Sequence, residues 1–147
     1  MVVTKRFGLI TRTLAILLSA TAASGQTQSD YYRIETYDLP QGVNFEASGL
    51  AVLPNGKLAV GLRKGEVWIE GEKGFKRFAT GLHEILGLAW HEGALFATQR
   101  AEVTKLRDTD GDGVADEYLA AARGWGVSGA YHEYAYGPVF DAAGNLY

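Results

Sequence analysis

The sequence predicts an all-β fold, and three observations carry that expectation. A phrase made of an apolar strand, a tight turn ending in Gly and a second apolar strand occurs three times. It runs Gly49-Leu50-Ala51-Val52-Leu53-Pro54-Asn55-Gly56-Lys57-Leu58, then Gly87-Leu88-Ala89-Trp90-His91-Glu92-Gly93-Ala94-Leu95, then Gly137-Pro138-Val139-Phe140-Asp141-Ala142-Ala143-Gly144-Asn145-Leu146-Tyr147. Each copy reads as a β-hairpin. The copies begin 38 and 50 residues apart, and the longer interval holds an 11-residue acidic insert, 108–118, whose removal leaves 39. Finally, no stretch beyond the N-terminal apolar run has helical periodicity. Short strands repeating at about 40 residues are the mark of β-propeller blades.

The N-terminus comes first. Lys5, Arg6 and Arg12 precede the apolar run Leu14-Ala15-Ile16-Leu17-Leu18, and small residues follow as far as Gly25. This is the pattern of a secretory signal peptide over residues 1–25, with cleavage after Ala22 or Gly25, and it points to a secreted or periplasmic protein. The run is too short for an ordinary membrane span, and no later stretch could cross a bilayer; an uncleaved anchor is the alternative. Without Lys5, Arg6 and Arg12, the 14 basic residues fall to 11 against 17 acidic ones, a net charge of −6. An acidic, unpatterned surface argues against a nucleic-acid partner. With no cysteine in the chain, disulfides, thiolate catalysis and haem attachment within it are excluded.

Residues 26–30 read as a polar linker, and 31–147 as the N-terminal part of a propeller domain, two blades and a fraction of a third. Residues 31–39 alternate well enough for a strand. Blade one has strands at 49–53, 57–62, 66–70 and 75–80, separated by Asn55-Gly56, Lys64-Gly65 and Glu72-Lys73-Gly74. Blade two has 86–90, 95–99, 103–108 and a last strand near 117–121. A ring needs about four blades or more to close, and the third copy stops inside its second strand, so the chain is expected to be part of a longer protein. Alone, two blades leave strand edges unpaired and apolar faces half-buried, with Trp68 and Trp90 among the residues exposed.

Strand order also sorts the loops. In a propeller the innermost strand of each blade comes first, so its lead-in loop shares a face with the loop joining the second and third strands. The lead-in loops are 81–85 and 124–136; the other loops hold Arg63 and Gln99-Arg100, with Arg63 and Arg100 lying 14 and 13 residues after their repeat glycines. His83, His132, Arg63, Gln99 and Arg100 are therefore expected at one mouth of the ring. The turns Asn55-Gly56 and Glu92-Gly93 and the acidic insert fall on the other face, where His91 is expected to be solvated.

The first hairpin phrase followed by Arg63-Lys64-Gly65 resembles the first blade of the soluble quinoprotein glucose/sorbosone dehydrogenase family. His132 followed by Val139-Phe140-Asp141-Ala142-Ala143-Gly144-Asn145-Leu146-Tyr147 is similar to the segment holding that family's catalytic histidine. The residues Gly81-Leu82-His83-Glu84, Gln99-Arg100, the acidic insert and Trp125-Gly126-Val127-Ser128-Gly129 are similar to large secreted bacterial proteins described as membrane-bound dehydrogenases. In those proteins a propeller precedes helical repeats and a c-type haem domain. The resemblance covers residues 31–147. It implies a six-bladed propeller that holds pyrroloquinoline quinone (PQQ) and calcium and oxidises a sugar or alcohol. One departure is that Glu133-Tyr134-Ala135-Tyr136 follow the histidine where the family usually has an Asn or small residues.

On this reading His132 is the general base, suited by an imidazole that titrates near neutral pH. The alternative is a loop histidine bonded to backbone in a wall of Trp125, Tyr131, Tyr134 and Tyr136. Arg63 and Arg100 would clamp quinone carboxylates through their planar forks, with Gln99 and His83 as further cofactor contacts; a repeated inter-blade ion pair is the alternative. Asp108, Asp110, Asp112 and Asp116 match positions 1, 3, 5 and 9 of an EF-hand-type calcium loop, although Leu119 stands where a bidentate acid belongs. A solvated hairpin with Asp-Gly turns is the alternative there. For the whole domain the competing reading is a non-enzymatic propeller like those of NHL-type repeats, presenting its loops to a protein or glycan.

Overall fold

The computed structural model describes residues 27–130 and 132–147. The proposed signal peptide, the first linker residue and Tyr131 lie outside the described residues. The chain divides into two units, residues 1–35 and 36–147. Among the described residues of the first, a 3-10 turn spans Gln28–Asp30, opened by the Thr27 amide donating to Asp30 Oδ2 at 2.6 Å. No helix among the described residues is long and apolar enough to cross a membrane.

The second unit is all-β. Strands β1 (Ala47–Val52), β2 (Leu58–Leu62), β3 (Glu66–Gly71) and β4 (Gly74–Ala79) pair consecutively as one four-stranded antiparallel sheet. Strands β5 (Leu88–His91), β6 (Ala94–Thr98), β7 (Glu102–Arg107) and β8 (Glu117–Arg123) form a second sheet of the same order. These are two blades. Every boundary in them lies within two residues of the expectation, because period-2 alternation and Gly turns are local signals. The start of a third blade follows: Val139 and Tyr147 exchange amide-to-carbonyl bonds of 3.0 and 2.8 Å, and Phe140 bridges to Leu146.

Residues 31–39 form no strand, contrary to the alternation in their sequence. Tyr31, Tyr32, Ile34 and Leu39 stay exposed, Ile34 at 93%. An alternating segment becomes a strand only where a neighbouring strand completes its ladder, and no described strand pairs with this one.

Alternation distributes each sheet's side chains to two faces. In β2, Leu58, Val60 and Leu62 face one way, packed with Trp68 and Phe75, and Ala59 faces the other. In β6, Leu95 and Ala97 face blade one while Ala94 and Phe96 face the third hairpin. The core therefore lies between the sheets: Leu53, Ala59, Val67, Phe78, Ile85, Leu88, Leu95 and Leu106 form one buried cluster. Trp68 is 9% exposed, against the expectation that it would be uncovered. Phe45, on the segment before β1, covers it, with ring centroids 6.1 Å apart. Trp90 is half-buried against the inter-sheet cluster.

His91 is not the solvated turn residue expected from its position. It ends β5, and its ring stacks on Phe140 at 4.1 Å and 8° because the third hairpin packs there; its side chain is 26% exposed.

The glycines that open the first two repeats have a steric reason. A Cβ on Gly49 would lie 2.9 Å from the Gly87 carbonyl carbon, and one on Gly87 would lie 1.3 Å from the Gly137 carbonyl oxygen. The three repeat glycines thus stand side by side where the innermost strands converge. Gly87→Ala is expected to lower stability by roughly 3 kcal/mol or more, since neither backbone can retreat without opening the core. Exposed Gly126, with nothing within 4 Å of its Cβ position, should tolerate alanine within about 0.5 kcal/mol. Urea melts of the intact protein compare the two; equal stability would refute the packing argument.

Candidate functional site

The loop face is built by three connections. The β2–β3 turn meets the lead-in loop of blade two where the Leu82 amide donates to the Gly65 carbonyl at 3.1 Å. That lead-in loop meets the β6–β7 turn through Gln99, whose Oε1 accepts from the His83 amide and whose Nε2 donates to Thr104 Oγ1. Gln99 is 9% exposed, so its amide is an internal tie between loop and sheet. The third connection is Arg100. It donates from Nη1 to Glu84 Oε2 at 3.2 Å and from Nη2 to the carbonyls of Ser128 and Ala130 at 3.3 and 3.0 Å.

Arg63 makes the corresponding contact in blade one, where Nε and Nη2 converge on Glu46 Oε2 at 3.1 and 3.0 Å. Both pairs lie within a blade, joining each lead-in loop to the β2–β3 or β6–β7 turn of the same sheet. Sequence alone names neither glutamate as an arginine's partner, although a signal is present: Glu46 and Glu84 each stand three residues before a repeat glycine. Tyr134 holds that place before Gly137, and its ring lies 5.4 Å from the Arg100 guanidinium carbon.

The lead-in loop of blade three carries the rest of the face. Trp125 Nε1 donates to the Arg100 carbonyl at 2.9 Å, Ser128 Oγ bonds the Glu133 carboxylate, and the Glu133 amide donates to the Ala130 carbonyl at 3.3 Å. His132 lies in the turn between Ala130 and Tyr134, both of which Arg100 holds. A small recess of about 110 Å³ is lined by Arg100, Trp125, Ser128, Glu133 and Tyr134. His83 is 70% exposed at its side chain, with Nε2 3.8 Å from Glu84 Oε2. Indole and phenol faces beside a carboxylate and a hydroxyl suit a ligand that offers both C–H and O–H groups.

The acidic insert lies away from these loops. It shares a wide groove with Asn55, Lys57 and Gly93, lined by Ile69, Phe78 and Trp90 from both blades. Within it, Asp108, Asp110 and Asp112 each present an oxygen, all within 4.8 Å of one another. Asp108 accepts from the Gly111 and Gly113 amides at 2.6 and 2.9 Å, and Asp112 from the Val114 amide at 2.8 Å. Asp116 does not join the three. Its two oxygens take the Thr109 amide and hydroxyl at 3.0 and 2.6 Å. Ala115 anchors the insert to blade one, buried in the inter-sheet core with its amide on the Phe78 carbonyl at 2.7 Å.

No family model matches the chain, and no curated protein matches it. Among solved structures, the chain is similar to a Thermus thermophilus protein provisionally assigned as an oxidoreductase of the glucose dehydrogenase type. The two are 24% identical with a TM-score of 0.43 over 52% of this chain and 29% of that one. The match thus spans less than a third of that protein's length, and the reading of this chain rests on its own residues.

The Thr109 hydroxyl, and then the Thr109 amide, hold Asp116 below its ordinary carboxylate pKa. A group whose folded pKa is depressed contributes stability above its unfolded value, and that contribution disappears as pH falls through the lowered folded value. In Thr109→Val the Asp116 titration should therefore move up toward the ordinary value, and order in the insert should be lost at a higher pH. Carboxyl NMR titration checks this; an unmoved midpoint would refute the assignment of cause.

Proposed function

We propose that the loop face forms part of the pocket of a secreted oxidoreductase that converts the hydroxyl of a sugar or alcohol to a carbonyl, with His132 as general base. The observation that carries this reading is Arg100's grip on the lead-in loops of blades two and three. That grip braces the His132 turn beside the recess of Trp125, Ser128, Glu133 and Tyr134. Such an oxidation removes the O–H proton and the C–H hydride of one carbinol. The proton goes to an imidazole nitrogen of His132, and Glu133 and Ser128, bonded to each other, stiffen the turn that carries it. A quinone such as PQQ, when bound, supplies the acceptor for the hydride.

Arg63 and Arg100 do not fit the carboxylate clamp expected of them, and Gln99 does not fit the cofactor contact expected of it. Both terminal nitrogens of Arg100 are engaged with glutamate and carbonyl oxygens, two nitrogens of Arg63 converge on Glu46, and Gln99 is tied at both ends. Of the residues assigned to the cofactor, His83 and Arg63 present exposed side chains, 70% and 52%, and Arg63 is already paired with Glu46. PQQ would have to be held by other groups. The same observation favours a second reading, a binding propeller whose exposed Trp125, Val127 and Tyr136 meet a protein or glycan.

The test uses the full-length protein supplied with PQQ and calcium, sugars and alcohols, and an artificial electron acceptor. His132→Gln is expected to lower turnover by ~10²-fold or more with cofactor affinity retained. A wild type with neither PQQ binding nor turnover would leave the binding propeller; an active wild type matched by His132→Gln would remove only the base.

The insert is proposed as a structural calcium site held by Asp108, Asp110 and Asp112. The donors fit a hard cation in kind, since all are carboxylate oxygens already gathered in one place. Leu119 at the usual bidentate position and the diversion of Asp116 to Thr109 make the affinity low. Millimolar calcium should raise the melting temperature of the wild type by mass action and leave Asp110→Ala/Asp112→Ala unchanged. An equal response in both would move the ion elsewhere.

A further inference from the structure

We propose that Arg100 is a positioning residue, which shapes the lead-in loop of blade three and through it aims His132; the inference rests on the reading of His132 as the base. The side chain reaches both lead-in loops at once. Glu84 lies on the lead-in loop of blade two, whereas Ser128, Ala130 and Tyr134 lie on that of blade three. The main chain of Arg100 adds a further tie, its carbonyl accepting from Trp125 Nε1. The blade-three contacts fall on both sides of His132 in the sequence, so the loop leaves and returns to one side chain with the histidine between. The Ala130 carbonyl is shared, taking Arg100 Nη2 at 3.0 Å and the Glu133 amide at 3.3 Å, which couples the guanidinium to the turn itself.

Only arginine has the geometry for this. Its planar fork delivers one terminal nitrogen to a carboxylate and the other to two carbonyls, while its face remains open to the Tyr134 ring; a lysine offers a single point charge. Glu84 carries a second sign that the arrangement is imposed. Its φ is 46°, left-handed backbone that a glutamate seldom adopts and that persists where surrounding contacts over-determine it. The Arg100 bond is one such contact. Blade one supplies the comparison: the Arg63 guanidinium bonds Glu46 of its own blade, and its side chain is 52% exposed against 18% for Arg100. The same repeat position thus closes a surface in blade one and holds a loop in blade two.

Arg100 acts here through the loop it holds, and a displacement of about 1 Å in a positioned base is enough to lower turnover by ~10²-fold. In full-length protein, Arg100→Lys and Arg100→Ala are each expected to speed amide exchange at 125–130 and 132–136 while β5, β6 and β7 keep their protection. Both should lower kcat by ~10²-fold with KM changed less than about threefold, and added guanidine should restore part of the loss in Arg100→Ala. If Arg100→Ala fails to fold, Arg100→Lys carries the same comparison. Wild-type exchange and kcat in Arg100→Lys would overturn the proposal, as would loss of protection spreading through β5, β6 and β7, which would make the residue a support of blade two as a whole. A wild type without turnover would defeat the base reading alone. Exchange would then decide for Arg100: a loop released in Arg100→Lys supports the positioning role, and an unmoved loop overturns it.

Discussion

The close approach of three innermost strands is the constraint on which the rest of this structure depends. Gly49 lies against the Gly87 backbone and Gly87 against the Gly137 carbonyl, at distances that leave no room for a Cβ on Gly49 or Gly87. Because sheets splay outward from such a convergence, the space between β1–β4 and β5–β8 widens into a wedge, and apolar side chains fill it. Ala59 and Ala97, small residues on central strands, sit in the same buried cluster as the larger Phe78, Ile85, Leu95 and Leu106. The stack continues on both sides: Phe45 and Phe75 pack over Trp68 of blade one, and Phe140 packs over Phe96 of blade two. Each blade is thus buried by its neighbour, the way repeats stabilise one another in a stacked array.

The same convergence sets the character of the loop face. With inner strands in contact, the lead-in loops of successive blades lie side by side, and charged pairs fasten them to the turns of their own sheets. These pairs differ in weight. Arg63 and Glu46 are largely solvated, where an ion pair contributes at most about 1 kcal/mol. Arg100 and Glu84 are far less exposed, at 18% and 21%, and the guanidinium also satisfies two carbonyls, so removing it leaves several polar groups without partners. The Nε of Arg100 is itself buried and unbonded, a cost accepted for where the terminal nitrogens reach.

The acidic insert is a different kind of addition. It lengthens the β7–β8 connection without disturbing either strand, because Ala115 plugs into the inter-sheet core and Asp116 closes on Thr109. The three remaining aspartates are thereby held together on a short loop, each with at least one oxygen bonded to a backbone amide. Backbone amides offset part of their mutual repulsion, and the acids remain gathered on the face away from His132 and Arg100.

The sequence by itself determined the strands, their turns and their grouping into blades, because alternation, turn glycines and a repeat near forty residues are local or periodic signals. It also placed His83, Gln99, Arg100 and His132 on one side, since strand order alone decides which loops share a face. Tertiary structure decided the rest. Residues 31–39 alternate as a strand would, yet form none, because a ladder needs a second strand that alternation cannot supply. Trp68 and His91 are covered by Phe45 and Phe140, residues distant in sequence whose arrival depends on how the hairpins stack. The partners of Arg63, Arg100 and Gln99 were likewise beyond reach: a guanidinium looks the same in sequence whether it meets a ligand or a neighbouring glutamate, and only the folded chain brings Glu46, Glu84 and the Ser128 and Ala130 carbonyls within bonding distance.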